Sequence, residues 1–319
     1  MEHVANLSGI VPSPLLAFLK EADYSFVTPT PATHSRINNR VGNEQARSLA
    51  DAFGWSRPFA PSLLPSPLFG LLRDNAVIFE CDAGWKSAVR ASTLDGEIFL
   101  HSAFPTVSPD AVFFGPDTYR FARAIKENLL SEPRNLHRAM DLGCGSAAGG
   151  VILAKNSSCR ELVLTDINDN ALQMARLNAE AAGVPNITTI HSDLFANVDG
   201  EFDMIIANPP YLNDPLQRVY RNGGGELGSA LSLRIAQTAK DRLSPGGTLL
   251  LYTGSPIVSG VDRLLEAIEE DFAGDDLRWS YEEIDPDVFG EELETAAYGH
   301  VDRIAAVVLT ARKPGVLAC

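Results

Sequence analysis

The residues with the clearest chemical meaning are Asn208, Pro209, Pro210 and Tyr211, which directly follow the apolar run Met204–Ala207. Two consecutive prolines lack the N–H groups that a central strand needs, so a strand must end at this point. An amide, two rigid residues and an aromatic ring therefore stand at the carboxyl end of a strand, where open α/β sheets bind ligands. A strand-ending turn with a buried aromatic side chain is the structural alternative.

These residue types suit chemistry at a planar amide or amino nitrogen, whose delocalised lone pair makes it a poor nucleophile. If the Asn208 side-chain oxygen and the Pro209 carbonyl each accept an N–H bond, the nitrogen is held with its lone pair facing an electrophile at roughly 3–3.5 Å. Pro209 and Pro210 stiffen the backbone, so aiming that carbonyl costs little entropy. Tyr211 offers a flat face on which a planar group can stack. We therefore predict that Asn208, Pro209 and Tyr211 are catalytic.

A glycine-rich turn with the sequence MDLGCGSAAGG lies between a predicted strand and a predicted helix. Gly143 and Gly145 allow a tight turn and a close approach of the backbone to a ligand. Asp166 ends the next predicted strand, and a carboxylate there can accept hydrogen bonds from both hydroxyls of a ribose. The pattern predicts a nucleoside cofactor without identifying it, because Gly143, Gly145 and Ala148 also satisfy the dinucleotide pattern G-x-G-x-x-G/A.

From about residue 138, short apolar runs alternate with helical patterns, which predicts a mostly parallel sheet with helices on both faces. Five predicted strands are HRAMDL, ELVLTDIN, ITTIHSDL, FDMIIAN and GTLLLYTG, and two late ones are LRWSYEEI and RIAAVVLTAR. Helices are predicted over AAGGVILAKN, DNALQMARLNAEAAG and roughly 229–243 and 260–271. The predicted fold class is therefore α/β, with a Rossmann-like, seven-stranded sheet.

The first 110 residues follow a different pattern. NEQARSLADAFG suggests a helix, the four prolines of SRPFAPSLLPSPLFG predict irregular structure or short helical turns, and AVIFECDAGWKSAVRASTLDGEIFLHSAF suggests a small antiparallel unit. We therefore predict a smaller α+β domain over 1–110, which recognises the substrate, and a catalytic domain over 111–319.

Composition and charge limit the classes of partner. The net charge is −15, and the segment 261–300 alone holds 14 acidic and two basic residues, so long-range attraction of nucleic acid is unfavourable. No apolar run is long enough for a membrane span, and no signal peptide is apparent. The four cysteines show no metal-ligand spacing, so no metal site is suggested and we expect a cytoplasmic, reduced protein.

The array from the glycine turn to Tyr211 resembles the class I S-adenosylmethionine-dependent methyltransferases, over roughly residues 114–312. Within them, the Asn-Pro-Pro-Tyr motif is similar to that of enzymes that methylate planar amino or amide nitrogens. The stretch SDLF…FDMIIANPPY resembles the release factor glutamine methyltransferases of the PrmC/HemK type most closely, and FGPDTYRFARAI resembles their Pro- and Thr-containing segment near the cofactor.

This resemblance implies S-adenosylmethionine as the cofactor. It implies cofactor contacts from Asp141, Gly143, Gly145, Asp166, Asp193, Asn208 and Thr118. For Asp193, capping of the turn after the third strand is the alternative role. Ala147 stands where the family commonly has a third glycine, which we expect to tighten the cofactor pocket.

Several functions remain open from the sequence. The favoured one is N-methylation of a protein glutamine, with a translation release factor as one candidate partner. A base in rRNA or DNA (an adenine or guanine amino group) and a small molecule are alternative acceptors. An NAD(P)-dependent oxidoreductase is a distant alternative, because it explains the glycine turn and Asp166 but not the Asn-Pro-Pro-Tyr motif.

Overall fold

The computed structural model describes residues 12–133 and 135–315. Its N-terminal part combines short helices with two separate antiparallel hairpins. The elements in chain order are α1 (Pro12–Glu21), α2 (Pro31–Asn38), α3 (Leu49–Phe53), α4 (Ser66–Asp74), β1 (Ile78–Cys81), β2 (Gly84–Ser87), β3 (Val89–Leu94) and β4 (Glu97–Ser102). The predicted strands are present, whereas the predicted helix over NEQARSLADAFG is only the five residues of α3. The proline-rich stretch forms a 3-10 turn followed by α4.

The rest of the chain folds around one twisted sheet. Its helices are α5 (Pro116–Ser131), α6 (Ala148–Lys155), α7 (Asp169–Ala181), α8 (Ala230–Ala239) and α9 (Arg263–Asp271). Its strands are β5 (Arg138–Leu142), β6 (Glu161–Asp166), β7 (Ile187–His191), β8 (Phe202–Ala207), β9 (Leu243–Val258), β10 (Val261–Asp262), β11 (Arg278–Asp285) and β12 (Arg303–Arg312). Every strand and helix predicted for this part is found, although β9 is longer and α8 shorter than expected.

The sheet has the order β11-β12-β9-β8-β5-β6-β7, and β10 pairs with the end of β9. The pairs from β7 to β9 are parallel, and β12 runs antiparallel to both of its neighbours. The prediction of a seven-stranded, mostly parallel sheet is thereby confirmed, with the two-residue β10 as an addition.

Helices cover both faces of the sheet, which explains why the central strands are apolar at nearly every position. A separate hydrophobic cluster lies on each face of the sheet. Met204 and Ile206 of β8 pack in the cluster with α5, α6 and much of α7, whereas Ile205 and Ala207 pack in the cluster with α8 and α9. Side chains alternate between faces along a strand, so a strand covered on both faces needs continuous apolar residues.

The N-terminal unit packs against α7 of the part that contains the large sheet. Ala171 and Met174 of α7 belong to the N-terminal hydrophobic cluster. The buried Asn178 side chain accepts a hydrogen bond from the Leu100 N–H of β4 and donates to the Leu100 carbonyl, each at 2.9 Å, and it also donates to the Ser146 carbonyl at 2.9 Å. One amide thus joins β4, α7 and the glycine turn. The division near residue 110 stays a prediction.

Replacement of this amide is expected to be costly. Asn178→Ala leaves a buried N–H and two buried carbonyls without a partner, so we expect the free energy of unfolding to fall by about 3 kcal/mol. Denaturant unfolding measures the change, and Arg176→Ala on the exposed side of α7 is the control, with an expected change within about 0.5 kcal/mol. Equal effects of the two substitutions would contradict this account of how the units are joined.

Within 12–133 and 135–315, every helix is too short or too polar to cross a lipid bilayer.

Candidate active site

A cavity opens at the carboxyl ends of β5, β6 and β8, and it is lined by every residue that was predicted to be catalytic or to contact the cofactor. These are Thr118, Asp141, Gly143, Gly145, Asp166, Asp193, Asn208, Pro209 and Tyr211. Strands of a parallel sheet end along one edge, so residues that are distant in the chain meet there. The individual roles of these residues stay predictions.

The glycine turn forms one wall of the cavity. Gly143 and Gly145 have φ values of +71° and +52°, a left-handed backbone that residues with a Cβ rarely adopt. A Cβ added to either glycine would meet no other atom within 4 Å, so open space lies beside the backbone. The Gly145 N–H donates to Asp166 Oδ2 at 3.0 Å, which fixes the end of β6 against the turn.

Two carboxyl groups lie behind this wall. Asp166 Oδ1 also accepts from the Asn168 N–H at 2.9 Å, and burial raises the pKa of Asp166. Asp141 Oδ2 accepts from the Gly150 N–H at 2.7 Å. Burial raises the pKa of Asp141 to about 7, and the nearby charge of Asp166 contributes to the same increase. Asp141 is therefore half-ionised near neutral pH, and a cation bound beside it would favour its ionised form.

The Asn-Pro-Pro-Tyr segment forms the opposite wall. Asn208 is half-buried, and neither its side chain nor the Pro209 carbonyl has a hydrogen-bond partner in the part of the chain that the structure describes. Ala207, directly before them, is held between Leu142 of β5 and Leu251 of β9. Two open hydrogen-bond acceptors thus follow a rigid strand end at the edge of the cavity.

Tyr211 lines the cavity but is only 5% exposed, and its hydroxyl group makes a buried hydrogen bond. The hydroxyl donates to Asp117 Oδ2 at 2.6 Å. Asp117 lies in the first turn of α5, next to Thr118, whose Oγ1 accepts from the Gly115 N–H at 3.2 Å. Asp117 also lines the cavity and was not predicted as a site residue, although its neighbour Thr118 was.

The glycine-rich segment after the motif packs on the motif's own backbone. A Cβ at Gly223 would lie 2.6 Å from the Pro210 carbonyl oxygen, and one at Gly228 would lie 2.5 Å from the Tyr211 carbonyl oxygen. The Gly223 N–H also donates to the Leu212 carbonyl at 2.9 Å. These glycines therefore permit a close contact between two chain segments.

The arginines near the motif are all paired with carboxylates. Arg218 contacts Asp214 at 2.6 Å and Arg234 contacts Asp193 at 2.6 Å, and Arg221 pairs with Glu292. Among the lining residues, Arg221 is the only Lys or Arg, whereas four are aspartates: Asp117, Asp141, Asp166 and Asp193. Acidic side chains therefore outnumber basic ones around the cavity, which favours a cationic group in the ligand.

Two further sequence expectations concern the rim and the turn. The Asp193 side chain is 67% exposed at the rim of the cavity, where its partner is Arg234. Ala147 has a left-handed φ of 60°, which explains a preference for glycine at this position. Its side chain is fully buried and is not among the residues that line the cavity.

Comparison with known proteins agrees with this geometry. Residues 121–259 match the family described as Methyltransferase small domain. The chain is 31% identical over 172 residues to a release factor glutamine methyltransferase from Koribacter versatilis, which covers 50% of this chain and 60% of that protein. It is 31% identical over 130 residues to a ribosomal protein uL3 glutamine methyltransferase from Neisseria meningitidis, which covers 37% of this chain and 43% of the relative. The chain thus spans less than two thirds of either relative.

Solved structures show the same fold. The complex of Methanocaldococcus jannaschii Trm5 with adenosine aligns with a TM-score of 0.50 at 15% identity, and the alignment covers 73% of this chain and 58% of that one. A putative S-adenosylmethionine-dependent methyltransferase from Streptococcus mutans also aligns with a TM-score of 0.50, at 13% identity over 77% of this chain and 64% of that one. The chain therefore has the fold of the class I methyltransferases, matches a methyltransferase domain family over 121–259, and resembles the release factor glutamine methyltransferases.

Proposed function

We propose that this class I methyltransferase domain transfers a methyl group from S-adenosylmethionine to a planar amide nitrogen, and that the acceptor is the side chain of a protein glutamine. One observation carries the proposal. The Asn208 side chain and the Pro209 carbonyl, which have no partner within the described residues, line a cavity with four carboxylates. Such a pair of acceptors can hold the two N–H bonds of a primary amide.

The residues of the cavity fit the proposed cofactor. The space beside Gly143 and Gly145 allows a ligand to approach the backbone, and Asp166 keeps lone pairs for the two hydroxyls of a ribose. The buried carboxyl group of Asp141 suits a cationic group. When bound, S-adenosylmethionine supplies a methyl group on a positively charged sulfur, which keeps the electron pair of the broken carbon–sulfur bond. The same carboxylates disfavour the pyrophosphate of NAD(P).

The chain's own residues then act on the acceptor. Asn208 Oδ1 and the Pro209 carbonyl each accept one N–H bond, which orients the amide and favours a pyramidal nitrogen with an available lone pair. The acceptor nitrogen gains one carbon–nitrogen bond and loses one proton to water. Tyr211 provides an apolar surface beside the amide plane. Because the methyl donor is already activated, no strong general base is required.

The charges around the cavity support a protein acceptor over a nucleic acid. Arg218, Arg221 and Arg234 are engaged with Asp214, Glu292 and Asp193, which leaves none of the three free to bind a phosphate. The similar proteins from K. versatilis and N. meningitidis are named for a release factor and a ribosomal protein, so a protein of the translation machinery is the proposed partner. We propose that residues 1–110 select it, and the cytoplasmic location stays a prediction.

The class of acceptor can be tested in a lysate of the source cells. Label transferred from methyl-radiolabelled S-adenosylmethionine is expected in one protein band that protease removes and nuclease does not. Label that nuclease removes would assign the acceptor to a base, and label confined to small molecules would assign it to metabolite chemistry. Absence of label in every fraction, together with no cofactor binding by calorimetry, would refute the proposed activity.

Cofactor affinity is expected to depend on pH through Asp141. With a pKa of about 7 in the free protein, Asp141 must lose its proton to interact with a cation, so affinity increases as the pH rises. Between pH 6 and pH 8 we expect the dissociation constant to fall about tenfold. Calorimetry at several pH values measures this change. The Asp141→Asn protein should bind more weakly with little pH dependence, and an unchanged slope in that variant would contradict the assignment.

A further inference from the structure

We propose that Asp117 is a positioning residue that anchors the Asn-Pro-Pro-Tyr segment through the Tyr211 hydroxyl and thereby fixes the two acceptors of Asn208 and Pro209. The inference rests on the proposed function, because the segment needs a fixed position only if it orients an acceptor. Asp117 lies 94 residues before Tyr211 in the chain, so the contact links two distant segments.

The carboxylate of Asp117 joins three donors in the interior. Its Oδ2 accepts from the Tyr211 hydroxyl at 2.6 Å, and its Oδ1 accepts from the Tyr252 hydroxyl at 2.7 Å. Arg120, one turn further along α5, donates to Oδ1 at 3.1 Å and pairs with Asp285 of β11 at 2.7 Å. Asp117 is 3% exposed, and its bonds to the two tyrosine hydroxyls are buried.

The ionised form of Asp117 has compensating interactions. Burial raises the pKa of Asp117, whereas the hydroxyls of Tyr211 and Tyr252 and the charge of Arg120 lower it. The first turn of a 16-residue helix also favours a negative charge. Hydrogen bonds to a buried carboxylate are short and strong, so this contact can hold a side chain firmly.

Packing restricts the ring of Tyr211 in other directions. A methyl group at Gly254 of β9 would overlap the ring, so the ring lies directly on that backbone. The ring of Phe289 meets it edge to face, with ring centroids 5.7 Å apart. These contacts limit rotation of the ring, and the hydrogen bond to Asp117 fixes the position of its hydroxyl group.

Asn208 and Pro209 therefore lie between two residues that are held in place, Ala207 and Tyr211, which serve as anchors. On one side, Ala207 is paired with strands β5 and β9, and on the other side Tyr211 is bonded to Asp117. The prolines between the anchors leave little backbone freedom. Loss of the second anchor would free the acceptors to move, and a displacement of about 1 Å can lower a reaction rate about 100-fold.

Tyr252 provides a matched control. It is fully buried and donates the same kind of bond to the other oxygen of Asp117, but it does not line the cavity and is 41 residues from Tyr211 in the chain. Tyr252→Phe thus removes a comparable hydrogen bond without releasing the Asn-Pro-Pro-Tyr segment. A general loss of stability would affect both Tyr→Phe variants alike.

The first readout is amide hydrogen exchange in the full-length protein, which requires no turnover. Tyr211→Phe is expected to speed exchange of the hydrogen-bonded main-chain amides of Leu212 and Asn213 about tenfold or more, whereas Tyr252→Phe leaves them unchanged. Asp117→Asn should also speed exchange there, and the Asp117→Asn/Tyr211→Phe double variant should add little to it. Equal exchange in the two Tyr→Phe variants, or no change in either, would overturn the inference.

The second readout is methyl transfer. Tyr211→Phe is expected to lower kcat about 100-fold with cofactor affinity almost unchanged, and Tyr252→Phe to change kcat by less than about threefold. Similar losses of kcat in both variants would also overturn the inference. If the wild-type protein transferred no methyl group to any acceptor, the proposed function would fail, while hydrogen exchange would still decide whether Asp117 anchors the segment.

Discussion

Asn208→Ala is expected to lower the rate of methyl transfer by a factor of about 10²–10³ while cofactor affinity changes little. The substitution removes the side-chain oxygen that holds the acceptor N–H, but it leaves the glycine turn and Asp166 intact. Since the Asn208 side chain has no hydrogen-bond partner among the described residues, its loss leaves no buried group unpaired. Single-turnover kinetics and calorimetry on the same preparation measure the two effects.

Asn208→Asp is the matched variant, because it keeps the size and shape of the side chain. It keeps an oxygen that can accept the acceptor N–H, so we expect it to lose less activity than Asn208→Ala. Thermal unfolding should show both variants folded as the wild type. An Asn208→Ala protein that binds the cofactor poorly, or that still turns over at the wild-type rate, would contradict the role of Asn208.

Asp166→Ala is expected to have the opposite pattern, with cofactor affinity reduced about 100-fold or more. Asp166 would lose its bonds to the two ribose hydroxyls, and the N–H groups of Gly145 and Asn168 would lose their acceptor. The dissociation constant from calorimetry measures the change. At saturating cofactor, where that can be reached, turnover should recover most of its wild-type value.

Asp193→Ala is the control at the end of the neighbouring strand. Its side chain is 67% exposed and paired with Arg234, so water and salt weaken any contribution to binding. We expect its dissociation constant to rise by less than about fivefold. Equal losses of affinity in the two variants, or no loss in Asp166→Ala, would contradict the assignment of the ribose to Asp166.

The fold from α5 to β12 and the position of the candidate active site were predictable because they depend on local sequence patterns. Apolar runs buried on both faces identify parallel strands, and the prolines after Ala207 require β8 to end there. Because these strands are parallel and lie side by side in the sheet, their carboxyl ends lie along one edge. Gly143, Asp166 and Asn208 then line one cavity without any knowledge of their long-range contacts.

The residues that were missed depend on contacts between distant segments. Asp117 is bonded to Tyr211 and Tyr252, which lie in distant segments of the chain, and no spacing in the sequence relates them. In the sequence, Asn178 is indistinguishable from any other polar residue of an amphipathic helix, and only its bond to β4 in the structure sets it apart. A buried polar group is recognisable only when its partners are known.

Helices α1 and α2 were not predicted from the sequence. Both begin with proline. Proline is favoured in the first turn of a helix, because its missing N–H has no partner there in any case. The Thr30 side chain, which accepts from the Thr33 N–H at 3.2 Å, supplies the cap that begins α2.

The most direct measurement is mass spectrometry of proteins from the source cells after reaction with S-adenosylmethionine that carries a trideuterated methyl group. We expect one tryptic peptide to gain one labelled methyl group on the side-chain amide of a glutamine, and to gain none when Asn208→Ala replaces the wild-type protein. Label on a carboxylate, on lysine or on arginine, or label that appears equally with Asn208→Ala, would contradict methylation of a planar amide held by the Asn-Pro-Pro-Tyr segment.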